Sequence, residues 1–369
     1  MEFTIHNQVL TTVFVIAIVM GAVANKTNFC TMGAVSDWVN MGDTGRLRAW
    51  LLAMAVAILG VAALAGTELA SIGNNTFPPY RTAQFAWLRY LLGGLMFGVG
   101  MTLASGCGNK TLVRIGGGNL KSLIVLIIAS ICAYLMLWTD FYGSVFHSWI
   151  SATTIDLGKS GMQSQSVSEF FGAGTGAQVA TGAVLGLLLA GFAFASKEFR
   201  GSFDNILAGV VIGLVVVVGW YITAGSMGAA WKEWAELAET VPSRVEVQSF
   251  TFISPMGDSV RYLMSLDNFA NINFGIAALT GVIVGSFLYA LLAGSFRFEW
   301  FASGGDFANH AIGGVLMGIG GVLSMGCTVG QAITGVSTLA MGSFLTFIAI
   351  VAGAAATMKF QYWRMMQEA

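Results

Sequence analysis

The chain has 369 residues, of which 56% are hydrophobic and 9% are charged, and its formal net charge is −1. Soluble domains carry about 25% charged residues, so most of this surface does not face water. The near-zero net charge gives no electrostatic basis for binding nucleic acid, and four cysteines are too few for a disulfide scaffold. The composition predicts a polytopic membrane protein. The first eight residues hold no Lys or Arg, so no cleaved signal peptide is expected.

Nine stretches are apolar enough to cross a bilayer, which takes about 20 residues of helix. Because they are continuously apolar rather than alternating, they predict helices and not barrel strands. The expected fold is an all-α integral membrane bundle of about nine transmembrane helices. In chain order the spans are predicted at about 8–24, 46–66, 85–104, 120–140, 176–195, 206–224, 273–294, 309–325 and 336–357.

The basic residues predict the orientation of these spans. Nine spans place eleven of the 17 Lys and Arg residues on one side of the membrane and six on the other. Four of those six lie in two long segments, and the positive-inside rule counts mainly the charges of short loops. The N-terminus is therefore expected outside and the C-terminus in the cytoplasm. The cytoplasmic set is Lys26, Arg46, Arg48, Lys110, Arg114, Lys121, Lys197, Arg200, Arg297, Lys359 and Arg364; the external set is Arg81, Arg89, Lys159, Lys232, Arg244 and Arg261.

Two segments fit neither a span nor a tight turn. Residues 141–175 mix aromatic residues with Ser, Thr and Gly, which predicts an external loop with an interfacial helix. Residues 225–272 contain WKEWAELAE, an amphipathic helix suited to the interface. They continue through SFTFISPMGDSVRYL, an apolar run interrupted by Pro255 and Gly257. That run predicts a re-entrant piece lining a cavity, with a loop on the outer surface as an equal alternative.

An internal repeat relates two of the spans. Residues 92–107 read LGGLMFGVGMTLASGC and residues 312–327 read IGGVLMGIGGVLSMGC, with seven of 16 positions identical at an offset of 220. The copies are spans three and eight, which are five spans apart. Because successive spans cross the bilayer in alternating directions, the two copies run in opposite directions. The sequence therefore predicts one transport domain with inverted halves at about 8–140 and 206–357, joined by a linker helix at about 176–195. Inverted repeats are typical of transporters, although a duplicated structural bundle is the alternative.

Both copies also contain a GxxxG pattern, at Gly94/Gly98 and at Gly314/Gly318. Small residues at this spacing let two helices approach closely in a membrane. We therefore expect tight helix packing just before the segment that follows each copy.

Three of the four cysteines have similar surroundings. They occur in NFCTMG, SGCGN and MGCTVG, each directly after a span and flanked by Gly, Ser, Thr or Asn. Glycine permits turns and Ser, Thr and Asn favour caps, so each cysteine is expected where one helix ends and another begins. The candidate path comprises Cys30, Cys107, Cys327, Gly106, Gly108, Gly326, Thr31, Asn109 and Thr328. Cys132 lies among apolar neighbours inside span four and is expected to be a core residue.

Several chemistries are open to these cysteines. The absence of a CxxC pair argues against a thioredoxin-like motif. Three cysteines and a histidine could bind a metal, but His6, His147 and His310 do not adjoin a cysteine in the sequence. A path lined by thiols and helix ends suits a soft, sulfur-bearing anion that binds weakly at several places. A membrane thiol oxidoreductase and a soft-metal permease remain the alternatives, and neither a metal nor a cofactor is expected.

The chain resembles the YeeE/YedE family of sulfur-transport membrane proteins over nearly its whole length. The resemblance rests on NFCTMGAVSDW, GLMFGVGMTLASGCGNKT, SPMGDSVRYLM, NFGIAALTGVIVGSF and GGVLMGIGGVLSMGCTVGQAITG. It implies nine transmembrane helices with short inward-plunging helices, an hourglass-shaped inverted repeat, and a bacterial inner-membrane location. It also implies uptake of thiosulfate past Cys30, Cys107 and Cys327 by transient S–H···S contacts without covalent chemistry, so no enzymatic activity is expected. A cytoplasmic TusA-like sulfurtransferase is an implied partner, and selenium compounds or other sulfur anions are alternative substrates.

Overall fold

The computed structural model describes residues 4–172, 174–238 and 240–368. Helices dominate, as the continuous apolar runs predict. They are α1 Ile5–Lys26, α2 Thr31–Ser36, α3 Gly45–Gly66, α4 Trp87–Leu103, α5 Gly108–Gly116, α6 Leu120–Trp138, α7 Ser148–Ala152, α8 Thr175–Phe194, α9 Lys197–Gly201, α10 Phe203–Ala224, α11 Ser226–Leu237, α12 Ile253–Leu263, α13 Phe274–Leu292, α14 Gly304–Leu323 and α15 Met341–Glu368.

Strands are minimal in the described residues. The four two-residue strands are β1 Thr76–Phe77, β2 Gln84–Phe85, β3 Ile155–Asp156 and β4 Val247–Gln248. Strand β1 pairs in parallel with β4, and β2 pairs antiparallel with β3. These pairs tie loops together and leave the architecture all-α, which confirms the predicted fold class.

Eight helical segments of the described chain are long and apolar enough to cross a membrane, and they correspond to spans one to seven and nine. The segment predicted as span eight is α14, which has 20 residues. Its first turns carry Asp306, Asn309 and His310, which lower its mean hydropathy. Lipid-facing surfaces are apolar: on α8, Leu187 and Leu188 are 63% and 64% exposed. The protein is a multi-pass membrane protein, while the count of nine spans stays a prediction.

The two long segments depart from simple surface loops. Helix α11 forms over most of the predicted amphipathic stretch, whose last residue, Glu239, lies outside the described residues. Helix α12 continues through Pro255 and Gly257, because a proline in the first turn has no intrahelical N–H to lose. Residues 253–258 are all buried, which agrees with an inward piece and not with a surface loop. The run that Pro255 and Gly257 interrupt in the sequence is thus one continuous helix in the structure.

The segment at 141–175, of which residue 173 is not described, contains the expected short helix, α7. It is not wholly external, however. Ser164, Gln165 and Ser166 have no exposed surface, and Gln165 accepts a hydrogen bond through its carbonyl from the Met341 N–H at 2.9 Å. The segment therefore dips into the protein and packs over the start of α15.

Glycines set the packing of the two repeat helices. A Cβ built on Gly100 of α4 would lie 2.8 Å from the Gly313 carbonyl of α14, and one on Gly313 would lie 2.6 Å from the Gly100 carbonyl. Likewise, a Cβ built on Gly93 would contact Gly320, and one built on Gly320 would lie 2.8 Å from the Gly93 carbonyl oxygen. Because 313 and 320 are 93 and 100 shifted by 220, the contacts are reciprocal. Only glycine permits backbones this close.

The GxxxG faces of these helices pack elsewhere. The second copy meets α6, since a Cβ on Gly318 would lie 2.7 Å from the Ala129 carbonyl. The first copy meets α15, since a Cβ on Gly98 would lie 2.9 Å from the Ala354 nitrogen. Two further pairs of helices also pack across the predicted halves: α1 packs on α13, and α10 packs on α3. Close packing by GxxxG is thus present in both copies.

Candidate functional site

The same chain break precedes each of the three Gly-flanked cysteines. Asn28, Ser105 and Met325 lie two residues before a cysteine and have φ values of 51°, 57° and 61°. The N–H of the following residue donates to the carbonyl five residues back, at 3.1, 2.8 and 2.8 Å. This is the Schellman ending, in which a left-handed residue terminates a helix. The left-handed residue is not the flanking glycine that the sequence suggested, although the break lies where it was expected.

Each of the three cysteines then begins a new helical segment. Its carbonyl accepts the first intrahelical bond, at 3.0 Å for Cys30, 2.9 Å for Cys107 and 2.8 Å for Cys327. The segments that follow are α2, α5 and a π-helical stretch at Val329–Gly335. Cys30 and Cys107 are the N-cap residues of α2 and α5, whereas Thr328 is the N-cap residue of the π-helical stretch.

Folding brings the three cysteines to the centre of the protein. The thiols of Cys30 and Cys107 are neighbours, and the Thr328 hydroxyl lies beside Cys107. A Cβ on Gly108 would lie 3.5 Å from the Cβ of Cys327, so α5 begins against the third cysteine. All three cysteines are buried and none is in a disulfide. The structure thus joins residues that are 77 and 220 positions apart in the sequence.

Unpartnered polar atoms surround the cysteines. The hydroxyls of Thr31 and Thr328, and both amide atoms of Asn109, are buried without a hydrogen-bond partner among the described residues. Asn109 and Thr328 have no exposed surface at all. Buried polar groups are normally paired, and an unpaired one costs about 1–3 kcal/mol. These three are the polar residues of the predicted path, and their free donors and acceptors are suited to a polar ligand or to water.

The glycines of the predicted path have ordinary surroundings. A Cβ on Gly106 would lie 3.4 Å from Lys110 Cγ, and one on Gly326 would lie 3.4 Å from Gln331 Cγ. Neither glycine has a positive φ, so neither is demanded by the turn itself. Their small size keeps the space beside the cysteines open.

One end of the site is closed by packed polar side chains. Beyond Cys327 lie Tyr80 and Thr251, whose hydroxyls are buried and unpartnered among the described residues. Next to them, the Gln165 amide donates to the Tyr90 hydroxyl at 2.8 Å and accepts from the Gly342 N–H at 3.1 Å. This end, which the charge distribution predicts to be external, is sealed.

The opposite end opens into a cavity of about 350 Å³ that reaches Cys30. We name it the basic vestibule, because its lining includes four cations and a single carboxylate. The lining consists of Asn25, Asn28, Cys30, Met32, Gly33, Arg46, Lys110, Val113, Arg114, Gly117, Asn119, Ser295, Arg297 and Glu299.

The cations of the vestibule are held close to the cysteine segments. Lys110 Nζ donates to the Asn28 amide oxygen at 3.1 Å, and Arg114 Nη1 donates to the Ser105 carbonyl at 2.6 Å. Arg46 packs on Gly33, whose N–H donates to the Cys30 sulfur at 3.4 Å. None of these cations is among the site residues predicted from the sequence. The signal for two of them was present, since Lys110 and Arg114 follow Cys107 at the i,i+4 spacing of one helix face.

The other candidate residues lie apart from the site. Cys132 is partly exposed on α6 and packs against Gly318. His6 accepts from Trp231 Nε1 at 3.0 Å, and His310 lies 3.0 Å from Asp306. Within residues 4–172, 174–238 and 240–368, no three His, Cys, Asp or Glu side chains form a cluster that could hold a metal ion.

Comparison with known proteins agrees with this architecture. A family model described as sulphur transport matches residues 26–356. A thiosulfate transporter TsuA from Escherichia coli K12 is 24% identical over 351 residues, covering 90% of this chain and 89% of that protein. A thiosulfate transporter TsuA from Spirochaeta thermophila is also 24% identical, over 356 residues, covering 92% and 94% of the two chains. This multi-pass membrane protein belongs to the sulphur transport family, as the resemblance to YeeE/YedE proteins predicted.

Proposed function

We propose that this protein is a permease that takes up thiosulfate, or a similar sulfur-bearing anion, along a path formed by Cys30, Cys107 and Cys327. One observation carries the proposal: three cysteines from distant segments meet at helix starts beside buried polar atoms that lack partners. The names of the similar proteins agree with thiosulfate as the substrate.

The chemistry of the path follows from its side chains. Thiols are weak donors and weak acceptors, so each contact to the terminal sulfur of thiosulfate is easily broken. The free groups of Thr31, Asn109 and Thr328 can bind the sulfonate oxygens. Weak binding at several successive places is what conduction requires. From the basic vestibule inward, the order is Cys30, Cys107 and then Cys327, and no covalent step is needed.

We further propose that the domain consists of two inverted halves, at about 8–140 and 206–357, with α8 as the linker. The reciprocal contacts between α4 and α14 support this arrangement. So does the crossed packing of α1 on α13 and α10 on α3. A two-fold axis in the membrane plane would produce both, and it would place the cysteines near the midplane, where transporters bind substrate.

The membrane setting is part of the proposal. We place the protein in a bacterial inner membrane with its N-terminus outside and its C-terminus in the cytoplasm, on the Lys and Arg distribution. The basic vestibule then faces the cytoplasm. A TusA-like sulfurtransferase is the partner that would collect the sulfur anion there.

The test is uptake of labelled thiosulfate in cells that lack other uptake routes. Ala at Cys30, Cys107 or Cys327 should reduce uptake at least ten-fold at equal membrane-protein level, because it removes the polarizable sulfur. Ser should fail too if softness matters more than hydrogen bonding. Cys132→Ala is the matched control and should transport nearly normally. Normal uptake by any of the first three variants removes that residue from the path.

A thiol oxidoreductase is the second candidate, and one observation favours it. Cys30 and Cys107 are adjacent although no close pair exists in the sequence. Thiol titration during turnover separates the two functions, since an oxidoreductase would cycle between two and no free thiols at this pair. Selenium compounds and soft metal ions are alternative cargoes of the same path, and each is tested as an unlabelled competitor of thiosulfate.

A further inference from the structure

We infer that the basic vestibule is an oxyanion-binding site that accepts sulfate as well as thiosulfate, so that sulfate on that side competes with the transported anion. The inference rests on the proposed function for the direction of transport, with release into the cytoplasm. The binding of an oxyanion is argued from the vestibule alone. The proposed site for the anion is formed by cationic side chains that are not part of the cysteine path.

The charge balance of the vestibule favours an anion. Among the described residues, Lys110, Arg114 and Arg297 take part in none of the ion pairs, whereas Arg46 is paired with Asp37. Against these three cations stands Glu299, which accepts a hydrogen bond from the Asn119 amide. An excess of positive charge in a concave, partly enclosed site attracts a dianion.

The geometry of the vestibule also suits a small ligand. About 350 Å³ is room for a tetrahedral oxyanion together with several waters, each of which takes about 30 Å³. Lys110 and Arg114 are partly buried, and each is fixed by a hydrogen bond to the Asn28 or Ser105 that ends a helix. Their positions are therefore set before the anion arrives.

The donors available there do not distinguish sulfate from thiosulfate. Ammonium, guanidinium and amide N–H groups recognise oxygen acceptors, and both anions present at least three oxygens. The lining residues that can make soft contacts to sulfur are Met32 and Cys30, and of these only the Cys30 thiol can also donate a hydrogen bond. Binding and selection are thus separated in space, and sulfate can occupy the vestibule without advancing beyond it.

Two of the vestibule cations have no charged counterpart at the repeat-related positions, both of which lie in the described part of the chain. At the offset of the repeat, Lys110 corresponds to Gly330 and Arg114 corresponds to Thr334. Both of these residues are buried and neutral, and the Thr334 hydroxyl donates to the Phe250 carbonyl at 2.6 Å. The asymmetry is suited to uptake, because a potential that is negative inside opposes entry of a dianion by about 4.6 kcal/mol per 100 mV. Cations at the inner end offset part of this opposition.

The experiment is a thermal-stability titration of the purified full-length protein in detergent. Sodium sulfate and sodium thiosulfate are added at constant ionic strength, with choline chloride as the balance. A ligand that binds the folded state raises the unfolding temperature by mass action. We expect both anions to stabilise the protein with dissociation constants within about three-fold of each other, and sulfate to shift the thiosulfate titration competitively.

Two variants locate the site. Lys110→Gln and Arg297→Gln should each weaken sulfate binding by roughly ten-fold, as expected for the loss of one charged contact. Arg297 is exposed, so its variant folds even if that of Lys110 does not. Lys359→Gln removes an exposed cation of α15 that does not line the vestibule, and it should bind sulfate as the parent does.

The inference is overturned if sulfate stabilises no more than choline chloride does, or if the vestibule variants bind sulfate like Lys359→Gln. Its failure is distinguishable from that of the cysteine path. Sulfate binding that depends on Lys110 alongside normal uptake by the Cys30 variant would support the vestibule and remove Cys30 from the path. Impaired uptake by the cysteine variants without any sulfate binding would leave only the path standing.

Discussion

A methyl group at Gly318 is predicted to separate α14 from α6. A Cβ there would lie 2.7 Å from the Ala129 carbonyl oxygen and 2.7 Å from the Cys132 Cβ. Ordinary van der Waals contact begins at 3.4 Å, so both contacts are short by about 0.7 Å. The carbonyl belongs to helix backbone and cannot rotate away. The two helices must therefore move apart along this face.

The size of the effect follows from the opposing contributions. Overpacking of this kind costs about 1–3 kcal/mol, and a gap of 0.5–1 Å along the interface forfeits a quarter to a half of each dispersion contact. Alanine returns up to about 1 kcal/mol through its higher helix propensity. We expect Gly318→Ala to destabilise the protein by about 1–2 kcal/mol, and Gly98→Ala to do the same against α15. The larger Gly318→Leu and Gly98→Leu should also lower uptake or membrane accumulation.

Gly191 provides the matched control. It lies inside α8, and a Cβ built on it meets no heavy atom within 4 Å. Gly191→Ala should therefore be neutral or slightly stabilising, because it gains helix propensity without a clash. The assay is the unfolding temperature in detergent by intrinsic fluorescence, with membrane accumulation measured in parallel. If Gly318→Ala unfolds at or above the temperature of Gly191→Ala, the close contact with α6 does not exist.

Three further predictions concern the ion pairs, the topology and the thiols. Asp258 accepts hydrogen bonds from Trp138 and Asn273 and pairs with Arg244 at 3.3 Å, so Asp258→Asn should lower the free energy of unfolding by about 1–3 kcal/mol. Asp204→Asn, in an exposed pair, should change it by less than about 0.5 kcal/mol. A C-terminal reporter should be active in the cytoplasm, and periplasmic activity would reverse the orientation. A mild oxidant should remove two titratable thiols and block uptake reversibly, whereas the Cys30→Ala variant should keep its remaining thiols free.

The spans were predictable because they depend on local composition. Continuous apolar runs predicted α3, α4 and α6 to within two residues at each end. The match between two sixteen-residue windows predicts that α4 and α14 are related by an internal repeat. The helix breaks at the cysteines were also local, because Gly, Ser and Asn disfavour continuing a helix. What could not be predicted was the exact residue in the left-handed conformation, since Ser105 and Met325 are not residue types that favour it.

The vestibule lay beyond sequence reasoning for a different reason. Arg46, Lys110 and Arg297 come from three separate segments, and only folding places them around one cavity. In the sequence each is one of many basic residues on the side predicted to be cytoplasmic, where the positive-inside rule already accounts for them. The adjacency of Cys30 and Cys107 was missed in the same way, because a separation of 77 residues carries no distance information.

The hydrogen bonds of Gln165 favour the form of the protein in which the end of the site beyond Cys327 is closed. Gln165 supplies partners for the N–H groups of Met341 and Gly342 and for the Tyr90 hydroxyl. Withdrawing the segment would leave these three buried polar groups unpaired until water reached them, at about 1 kcal/mol or more each. A difference of about 3 kcal/mol leaves the open form below about 1% of molecules. Opening at this end therefore requires a minority conformer, in which water has replaced the contacts that Gln165 makes.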